Sequence, residues 1–196
     1  MNKSKISTAF VQEVYDIYET FGNSDYIGEP VSSIEHALQA AYLAKLANQP
    51  DTIIAGALLH DLGHLIGLSA PEKYERMGHC GTIAHEGIGA FFLEQRGFPQ
   101  ETCALVRNHV NAKRYLTWKD PSYFNKLSDA SKITLGYQGG PMNDEEAKIF
   151  ENDPFSSIIL LMRTWDEAAK IPKRDVPNLD SYRSMLELLL ERRLRD

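Results

Sequence analysis

Cysteine is scarce in this chain of 196 residues. The two cysteines, Cys80 and Cys103, do not form a Cys-x-x-Cys pair, and two thiols in a chain of this length do not make a disulfide framework. Their scarcity also disfavours a structural zinc site or an iron–sulfur cluster, because both usually rely on several thiolates. We therefore expect both thiols to be reduced, with Cys103 in a helix and Cys80 in a loop.

Positive charge is in short supply as well. The chain has 27 acidic and 21 basic residues, and its net charge is −6. This balance argues against a general nucleic-acid surface or a basic membrane patch, so local cations have to bind any anionic substrate. The N-terminal residues contain no apolar signal core, and no uncharged run approaches the roughly 20 residues of a membrane span. We expect a cytoplasmic protein that binds neither nucleic acid nor membrane.

Alternation of apolar and polar residues, which would indicate β-strands, is also missing. The apolar residues recur at helical spacing, and the chain length suits one domain with a sizeable core. We predict an all-α fold in which Ile53–Leu62, apolar on nearly every side, is the buried central helix. Ser32 and Glu35 have the spacing of a capping box. The other predicted helices are 7–21, 32–48, 82–96, 99–116, 123–135, 144–150, 155–169 and 182–194, with longer loops at 22–31 and 67–81.

The apolar stretch Leu58–His64 contains an adjacent histidine and aspartate, His60 and Asp61. A buried imidazole and a buried carboxylate are costly unless each has a partner, and a metal ion satisfies both. His64 returns to the side of His60 one helical turn later. The alternative is a polar helix end at which the two side chains only cap backbone groups.

Histidines are concentrated in the predicted helices. Five of the six lie inside or at the ends of helices, among apolar residues, and only His79 lies in a plain loop. Neutral imidazoles and carboxylates are ligands for iron, manganese and similar ions, and one aspartate can bridge two metals. Helical spacing also places cations beside candidate ligands, since Lys113 follows His109 by four residues and Arg163 precedes Asp166 by three. Any one of these histidines could instead be an ordinary core residue.

The ordered set of histidines and aspartates resembles the pattern of the HD-domain superfamily, all-helical metalloproteins that include phosphohydrolases and a smaller oxygenase branch. The similarity extends over about Asp25–Pro177. Within the superfamily the chain is similar to the mixed-valence diiron oxygenases that cleave the carbon–phosphorus bond of 1-hydroxy-2-aminoethylphosphonates. The motifs that carry the resemblance are Asp25-Tyr26-Ile27-Gly28-Glu29, His60-Asp61-Leu62-Gly63-His64, Ala112-Lys113-Arg114-Tyr115-Leu116, Leu127-Ser128-Asp129-Ala130-Ser131, Tyr137-Gln138-Gly139-Gly140-Pro141-Met142 and Arg163-Thr164-Trp165-Asp166.

The resemblance implies a single HD domain over residues 1–196 that holds two iron ions in the Fe(II)/Fe(III) state and uses O2 as cosubstrate. Asp61 would bridge the two ions. The other implied ligands are His36, His60 and Asp166 for the first iron, and His85 and His109 for the second.

The resemblance also implies roles for residues of a substrate pocket. Tyr26 would close the open position of the second iron until substrate displaces it. Glu29 would move with Tyr26 and face the cationic end of the substrate. Both would take part in catalysis together with His64. The residues expected to hold the phosphonate are His64, Lys113, Arg163 and, as a weaker candidate, Ser131.

The implied reaction is an oxidation of a small organophosphonate at C1 that releases phosphate and leaves a carboxylate, in a monomer or a small homo-oligomer. One alternative is a hydrolase that acts on a nucleotide or small phosphoester with the same ligands. Another is a non-catalytic helical module, which usually loses ligands. The loop with Tyr26 and Glu29 favours the oxygenase, because a hydrolase needs no displaceable phenol.

The methylation state of the substrate is the least constrained expectation. A primary ammonium needs several hydrogen-bond acceptors, whereas a trimethylammonium needs a roomy cage. The segment Gly78–Ala84 has small side chains where a pocket wall is expected. We therefore predict the N-trimethylated substrate, which would give glycine betaine, over the primary amine, which would give glycine.

Overall fold

The computed structural model describes residues 3–26 and 28–193, so Ile27 and Leu194 of the predicted elements lie outside the described residues. The described residues form α-helices, one 3-10 helix and two isolated β-bridges but no strand, which confirms the all-α prediction. The helices are α1 (Lys3–Phe21), α2 (Ser33–Leu46), α3 (Asp51–Leu59), α4 (Leu62–Ser69), α5 (His85–Gln95), α6 (Gln100–Lys119), α7 (Tyr123–Lys126), α8 (Asp129–Tyr137), α9 (Asp144–Glu151), α10 (Ser156–Ala168) and α11 (Arg183–Arg193), with the 3-10 helix Leu179–Tyr182 before α11.

Helix α3 lies at the centre of the molecule, as predicted. Each residue from Ile53 to Leu59 is buried, and helices α2 and α6 pack along it. Its run of aliphatic and small residues permits this, because no polar side chain has to reach solvent. Helix α10 packs on α2 and α6, so the helices around this core carry three of the six candidate ligands, His36, His109 and Asp166.

The central helix ends earlier than predicted, and this determines where the histidine–aspartate pair lies. We expected one helix through Leu62, but α3 ends at Leu59 and α4 begins at Leu62, with a bend of 42° between them. Asp61 leaves the helical conformation, with φ −100° and ψ 8°. His60 and Asp61 therefore form the corner between two helices instead of the last turn of one.

Gly63 lets α4 approach α5 closely, just after this corner. A methyl group on Gly63 would lie 1.9 Å from the carbonyl oxygen of His85 and 2.9 Å from the backbone nitrogen of Gly89. Both are backbone atoms, so only a shift of the whole helix would make room. The absence of a side chain at this position thus holds the start of α5 against the corner.

Side-chain caps set two other helix starts. At α2 the capping box of Ser32 and Glu35 is present as predicted. At α8 the hydroxyl of Ser128 accepts a hydrogen bond from the backbone N–H of Ser131. The prediction of one helix over 123–135 is therefore wrong, because the chain forms α7, breaks at this cap and continues as α8.

The first and last helices pack against each other on one side of the core. Helix α1 contacts α11 and α4, and the hydroxyl of Tyr18 donates a hydrogen bond to the carbonyl oxygen of Leu58 at 2.6 Å. This bond satisfies a carbonyl at the end of α3 that has no partner within its own helix.

No single helix in the part of the chain that the structure describes is both long enough and apolar enough to span a membrane. Among the described helices, the bent pair of α3 and α4 has the combined length and apolarity of a span, with 42° between its two parts.

The close contact at Gly63 generates a prediction about stability. We expect Gly63→Ala to lower the free energy of unfolding by about 3 kcal/mol, since the added methyl group would overlap backbone atoms of α5. Gly87, which is inside α5 and has open space at its Cβ position, is the matched control. Gly87→Ala should be neutral or raise stability by about 0.5–1 kcal/mol through helix propensity. Urea denaturation of the three proteins measures this, and equal effects of the two substitutions would contradict the role given to Gly63.

Candidate metal centre

Six side chains from five parts of the chain converge on one buried cluster. His36 comes from α2, His60 and Asp61 from the corner, and the others from the start of α5, the middle of α6 and the end of α10. They form two groups, within each of which one ligand atom per residue lies within 4.8 Å of the others. The groups are His36, His60 and Asp166, and Asp61, His85 and His109.

Asp61 lies between the two groups and directs one oxygen toward each. Its Oδ2 atom is 3.2 Å from Nε2 of His60 and 3.7 Å from Nε2 of His36. Its Oδ1 atom is 3.3 Å from Nε2 of both His85 and His109. A carboxylate with this placement can contribute an oxygen to each of two ions.

Backbone carbonyls fix the orientation of three imidazoles. The Nδ1 atom of His36 is 3.0 Å from the carbonyl oxygen of Ala169 at the end of α10. His60 and His109 each place Nδ1 at 2.8 Å from the carbonyl oxygen three residues earlier. A carbonyl can only accept, so these nitrogens carry the proton and leave Nε2 as an electron-pair donor in the neutral ring.

The Nε2 atoms then face one another in pairs. Those of His36 and His60 are 3.1 Å apart, and those of His85 and His109 are 2.9 Å apart. In the first pair both Nε2 atoms carry a lone pair, and two lone pairs at this distance repel unless a cation lies beside both. Nitrogens bound at about 2.1 Å to one ion and roughly 90° apart are separated by about 3 Å, so the spacing suits metal ligation. The donor set of the cluster fits two ions.

Both carboxylates of the cluster are held in the ionised form. Burial opposes ionisation of Asp61, but the charge of His60 and hydrogen bonds from the surrounding histidines outweigh it and hold the pKa of Asp61 well below its ordinary value. Burial likewise opposes ionisation of Asp166, and the Arg163 guanidinium does most to keep its pKa well below the ordinary value. Burial lowers the pKa of His60, but the charge of Asp61 outweighs this and raises it to about 9. Without a metal ion, a proton on His60 therefore supplies the positive charge beside Asp61.

A pocket opens onto this cluster and contains all the residues predicted to bind substrate. It also contains three cationic side chains, of which sequence analysis predicted two, Lys113 and Arg163. The residues that line it are Tyr26, Glu29, Asp61, His64, His85, His109, Val110, Lys113, Ala130, Ser131, Thr134, Gln138, Arg163, Asp166 and Lys170.

Lys113 is a buried cation without a carboxylate partner among the described residues. Its Nζ atom donates to Oγ1 of Thr134 at 2.7 Å and to the carbonyl oxygen of Ser131 at 3.3 Å, so Ser131 contacts Lys113 through its backbone. Burial, together with the positive charge of Arg163, lowers the pKa of Lys113 to about 7. An anion in the pocket would supply the missing countercharge.

Arg163 already has three partners. Its Nη1 atom is 2.5 Å from Oδ2 of Asp166, and its Nε atom contacts Glu167 and the hydroxyl of Tyr123 at 2.9 and 3.0 Å. The helical spacing of three residues predicted the contact with Asp166. Arg163 therefore lies at the pocket as predicted, and it also neutralises a candidate metal ligand.

His64 is held between two other residues of the site. Its ring stacks on that of His85, with centroids 3.7 Å apart, and its Nδ1 atom accepts the backbone N–H of Thr82 at 2.9 Å. Burial and the neighbouring His85 lower the pKa of His64 well below its ordinary value. The neutral ring therefore carries its proton on Nε2, which can donate a hydrogen bond.

The start of α5 explains this arrangement. We predicted a helix from Thr82, but α5 begins at His85, because Ala84 has a left-handed conformation with φ +55°. Thr82 is thereby kept outside the helix, and its backbone N–H is available to His64.

Tyr26 and Glu29 lie on the same loop and contact different parts of the site. The ring of Tyr26 stacks on His36 at a centroid distance of 4.0 Å, and the same pocket brings it beside Asp61. Burial and the charge of Asp61 raise the pKa of Tyr26 well above its ordinary value, so the phenol is protonated. Glu29 accepts hydrogen bonds from Ser128 and Lys170, each at 2.6 Å.

Two features of the pocket differ from the sequence prediction. Lys170 was missed, although it follows Asp166 by four residues and the helical spacing used for Lys113 would have indicated it. The segment Gly78–Ala84 is not a wall of this pocket. Gly81 packs against the ring of His64, and with His79 it lines an adjoining cavity that shares Tyr26, Asp61 and His64 with the pocket. The small side chains of this segment therefore do not enlarge the pocket, and the trimethylated substrate stays a prediction.

In this helical bundle four histidines and two aspartates meet at one buried centre. Such a cluster is typical of histidine–aspartate metalloproteins. The HD domain family matches residues 33–174 of the chain, and the chain belongs to this family.

Three relatives extend the similarity over nearly the whole chain. Uncharacterized protein L432 of Acanthamoeba polyphaga mimivirus is 41% identical over 92% of this chain and 82% of its own length. The [1-hydroxy-2-(trimethylamino)ethyl]phosphonate dioxygenase (glycine-betaine-forming) of Leisingera caerulea is 39% identical over 94% of this chain and 92% of its own length. The hydroxymethylphosphonate dioxygenase of Gimesia maris is 36% identical over 97% of this chain and 93% of its own length. The chain is thus a homologue of two phosphonate dioxygenases.

The position of Asp61 between two groups predicts its effect on metal content. We expect Asp61→Ala to reduce binding of both ions, so that metal per chain falls from about two to well below one after loading with Fe(II) without oxygen. Asp129→Ala is the control, because this carboxylate is 98% exposed at the start of α8. Metal analysis by mass spectrometry measures the ratio. Full metal content in Asp61→Ala would remove Asp61 from the ligand set.

The lowered pKa of Lys113 predicts a pH dependence of anion binding. A bound dianion should restore the proton on Lys113, so binding takes up a proton above about pH 7 and weakens as pH rises, by at most about tenfold per unit up to about pH 10. Below that range Lys113 is already charged and its contribution is constant. Sulfate is a suitable probe, because its own charge does not change.

In Lys113→Met the pH dependence of sulfate binding should disappear. In the control Lys148→Met, which changes an exposed lysine on α9, the pH dependence should stay as in the wild type. Titration calorimetry of sulfate at several pH values compares the slopes for the same metal-loaded preparation. An identical slope in Lys113→Met and the wild type would show that Lys113 does not carry the proton.

Proposed function

We propose that this protein is a diiron dioxygenase that cleaves the carbon–phosphorus bond of a 1-hydroxyalkylphosphonate. The observation that carries the proposal is the placement of Asp61, with one oxygen toward each of two groups of ligands, beside a pocket that contains Lys113, a buried lysine with no carboxylate partner among the described residues. The names of two relatives support the substrate class.

In this proposal Asp61 would be a ligand of both ions. We propose that both ions are iron, one as Fe(II) and one as Fe(III). They would supply the redox chemistry with O2. The donors are mainly imidazole and carboxylate, which suit iron. The further ligands would be His36, His60 and Asp166 for one ion, and His85 and His109 for the other.

The reaction that we propose balances with O2 alone. The alkylphosphonate R–CH(OH)–PO3²⁻ and O2 give R–COO⁻, HPO4²⁻ and one proton. The C1–H and carbon–phosphorus bonds break, two oxygen atoms are added, and the four electrons lost by the substrate reduce O2. The residues of the pocket have to bind a dianion, orient C1 and exclude competing water.

Three residues are proposed to bind the phosphonate. Lys113 supplies a buried positive charge that lacks a countercharge among the described residues, and His64 can donate from Nε2. Arg163 adds positive charge while its Nη1 atom holds Asp166 in place. Ser131 fixes Lys113 through its carbonyl oxygen. The contact between a buried ammonium and a dianion is strong when both leave water together. The same ammonium makes the pocket selective for anionic groups.

Tyr26 and Glu29 are proposed to be the residues that change when substrate binds. Tyr26 is buried, stacks on the candidate ligand His36 and lines the pocket beside Asp61, so a substrate that approaches Asp61 would have to move it. Glu29 follows Tyr26 by three residues, and a hydrogen bond from the N–H of Glu29 to the carbonyl oxygen of Tyr26 at 2.7 Å couples the two. Displacement of the phenol would make catalysis depend on substrate being present. The cytoplasmic location and a monomeric or small homo-oligomeric state stay predictions.

The requirement for oxygen tests the proposed function. Iron-loaded protein should release phosphate from hydroxymethylphosphonate or 1-hydroxy-2-aminoethylphosphonate in air, with one O2 consumed per phosphate, and should release none under argon. An oxygen electrode and a phosphate assay on the same sample measure the ratio. Hydrolysis of a nucleotide or small phosphoester by a manganese-loaded sample under argon, without any reaction of the phosphonates in air, would favour a phosphohydrolase instead.

A further inference from the structure

Glu29 is the only carboxylate among the pocket-lining residues that does not belong to the two candidate metal groups. Its Oε1 atom is 2.6 Å from Nζ of Lys170 and 2.6 Å from the hydroxyl of Ser128. The side chains of Glu29 and Lys170 are only 12% and 18% exposed, so this ion pair is largely screened from solvent. A positively charged group on a substrate would have to use the same carboxylate.

Lys170 already occupies that carboxylate as part of the protein. This tethered ammonium is present at a high effective concentration, so a substrate ammonium has to share Glu29 with it or displace it, and one carboxylate then faces two cations. The pocket holds two further cations, Lys113 and Arg163, which add to the repulsion. The charge distribution therefore disfavours a cationic tail on the substrate.

The uncharged part of the lining supports the same conclusion. A trimethylammonium group is usually bound by several aromatic faces. Apart from the histidines, the aromatic side chain among the described lining residues is Tyr26, and its ring is stacked on His36. The other uncharged lining residues are Val110, Ala130, Ser131, Thr134 and Gln138.

We infer, on the basis of the proposed function, that Lys170 is a specificity-determining residue that occupies the place of a substrate cation on Glu29. The substrate is then a 1-hydroxyalkylphosphonate whose tail is small and uncharged. Hydroxymethylphosphonate, which has no tail, belongs to this class.

Two ligands that cannot be oxidised at a 1-hydroxyl group test the inference by binding alone. Propylphosphonate and 2-aminoethylphosphonate have nearly the same shape and differ by the charge of the tail at neutral pH. We expect the metal-loaded wild type to bind propylphosphonate at least tenfold more tightly. In Lys170→Met the ratio of the two dissociation constants should move at least tenfold toward 2-aminoethylphosphonate, because Glu29 becomes available.

Further variants separate charge from packing. Lys170→Arg keeps the charge and should keep the preference of the wild type, whereas Lys170→Gln removes the charge and should shift the ratio as Lys170→Met does. In the double variant Lys170→Met/Glu29→Gln the shift should disappear, because no carboxylate is left to receive the ammonium. Thermal unfolding of each variant checks that the fold is retained.

Two outcomes would overturn the inference: a wild type that binds 2-aminoethylphosphonate as tightly as propylphosphonate or more tightly, or an unchanged ratio in both Lys170→Met and Lys170→Gln. The proposed function is tested separately, by measuring O2-dependent phosphate release. If neither hydroxymethylphosphonate nor 1-hydroxy-2-aminoethylphosphonate reacts in air, the oxygenase proposal fails, while the binding ratio still decides the role of Lys170.

Discussion

The Asp61 carboxylate and the four imidazoles around it form the interaction on which the rest of the site depends. The Nε2 atoms of the imidazoles meet in pairs at about 3 Å, a spacing that suits ligands of one metal ion. The surrounding structure makes this arrangement possible. The corner between α3 and α4 turns His60 and Asp61 out of the core helix, and Gly63 lets α5 bring His85 to the same point. Backbone carbonyls then fix which nitrogen of three rings faces the centre.

The three cations of the pocket have different partners, and this difference organises its chemistry. Arg163 is bound to Asp166, so it contributes to the metal ligands as well as to the pocket. Lys170 is bound to Glu29, which leaves both charges neutralised. Lys113 is bound only to a hydroxyl and a carbonyl oxygen among the described residues, so its charge is available for an anion. A pocket that contains three cations thus offers one strong position for a dianion.

Sequence reasoning was most successful where a residue type and a helical period specify both structure and chemistry. The apolar run of α3 predicted the core, and the spacing of Lys113 and Arg163 from ligands placed both at the pocket. The ligand set itself came from the order of histidines and aspartates and from the family resemblance.

Other features depend on contacts between distant segments, and a helical period does not contain them. The corner at His60 depends on packing of α4 against α5, and the start of α5 depends on one left-handed residue, Ala84. For the same reason the position of segment 78–84 was not predicted: Gly81 packs against the ring of His64, and no residue of the segment lines the pocket that contains Lys113. The pair of Glu29 and Lys170 joins residues 141 positions apart, so its effect on the charge of the pocket is visible only in three dimensions.

Anomalous diffraction from crystals of the iron-loaded protein tests the central claim most directly. Data collected on both sides of the iron absorption edge locate each ion without reference to activity. The account predicts two iron peaks roughly 3.5–4 Å apart, as in other two-metal sites, with Asp61 between them and one group of ligands around each. A single peak bound by only one group, or peaks at a different part of the surface, would contradict it.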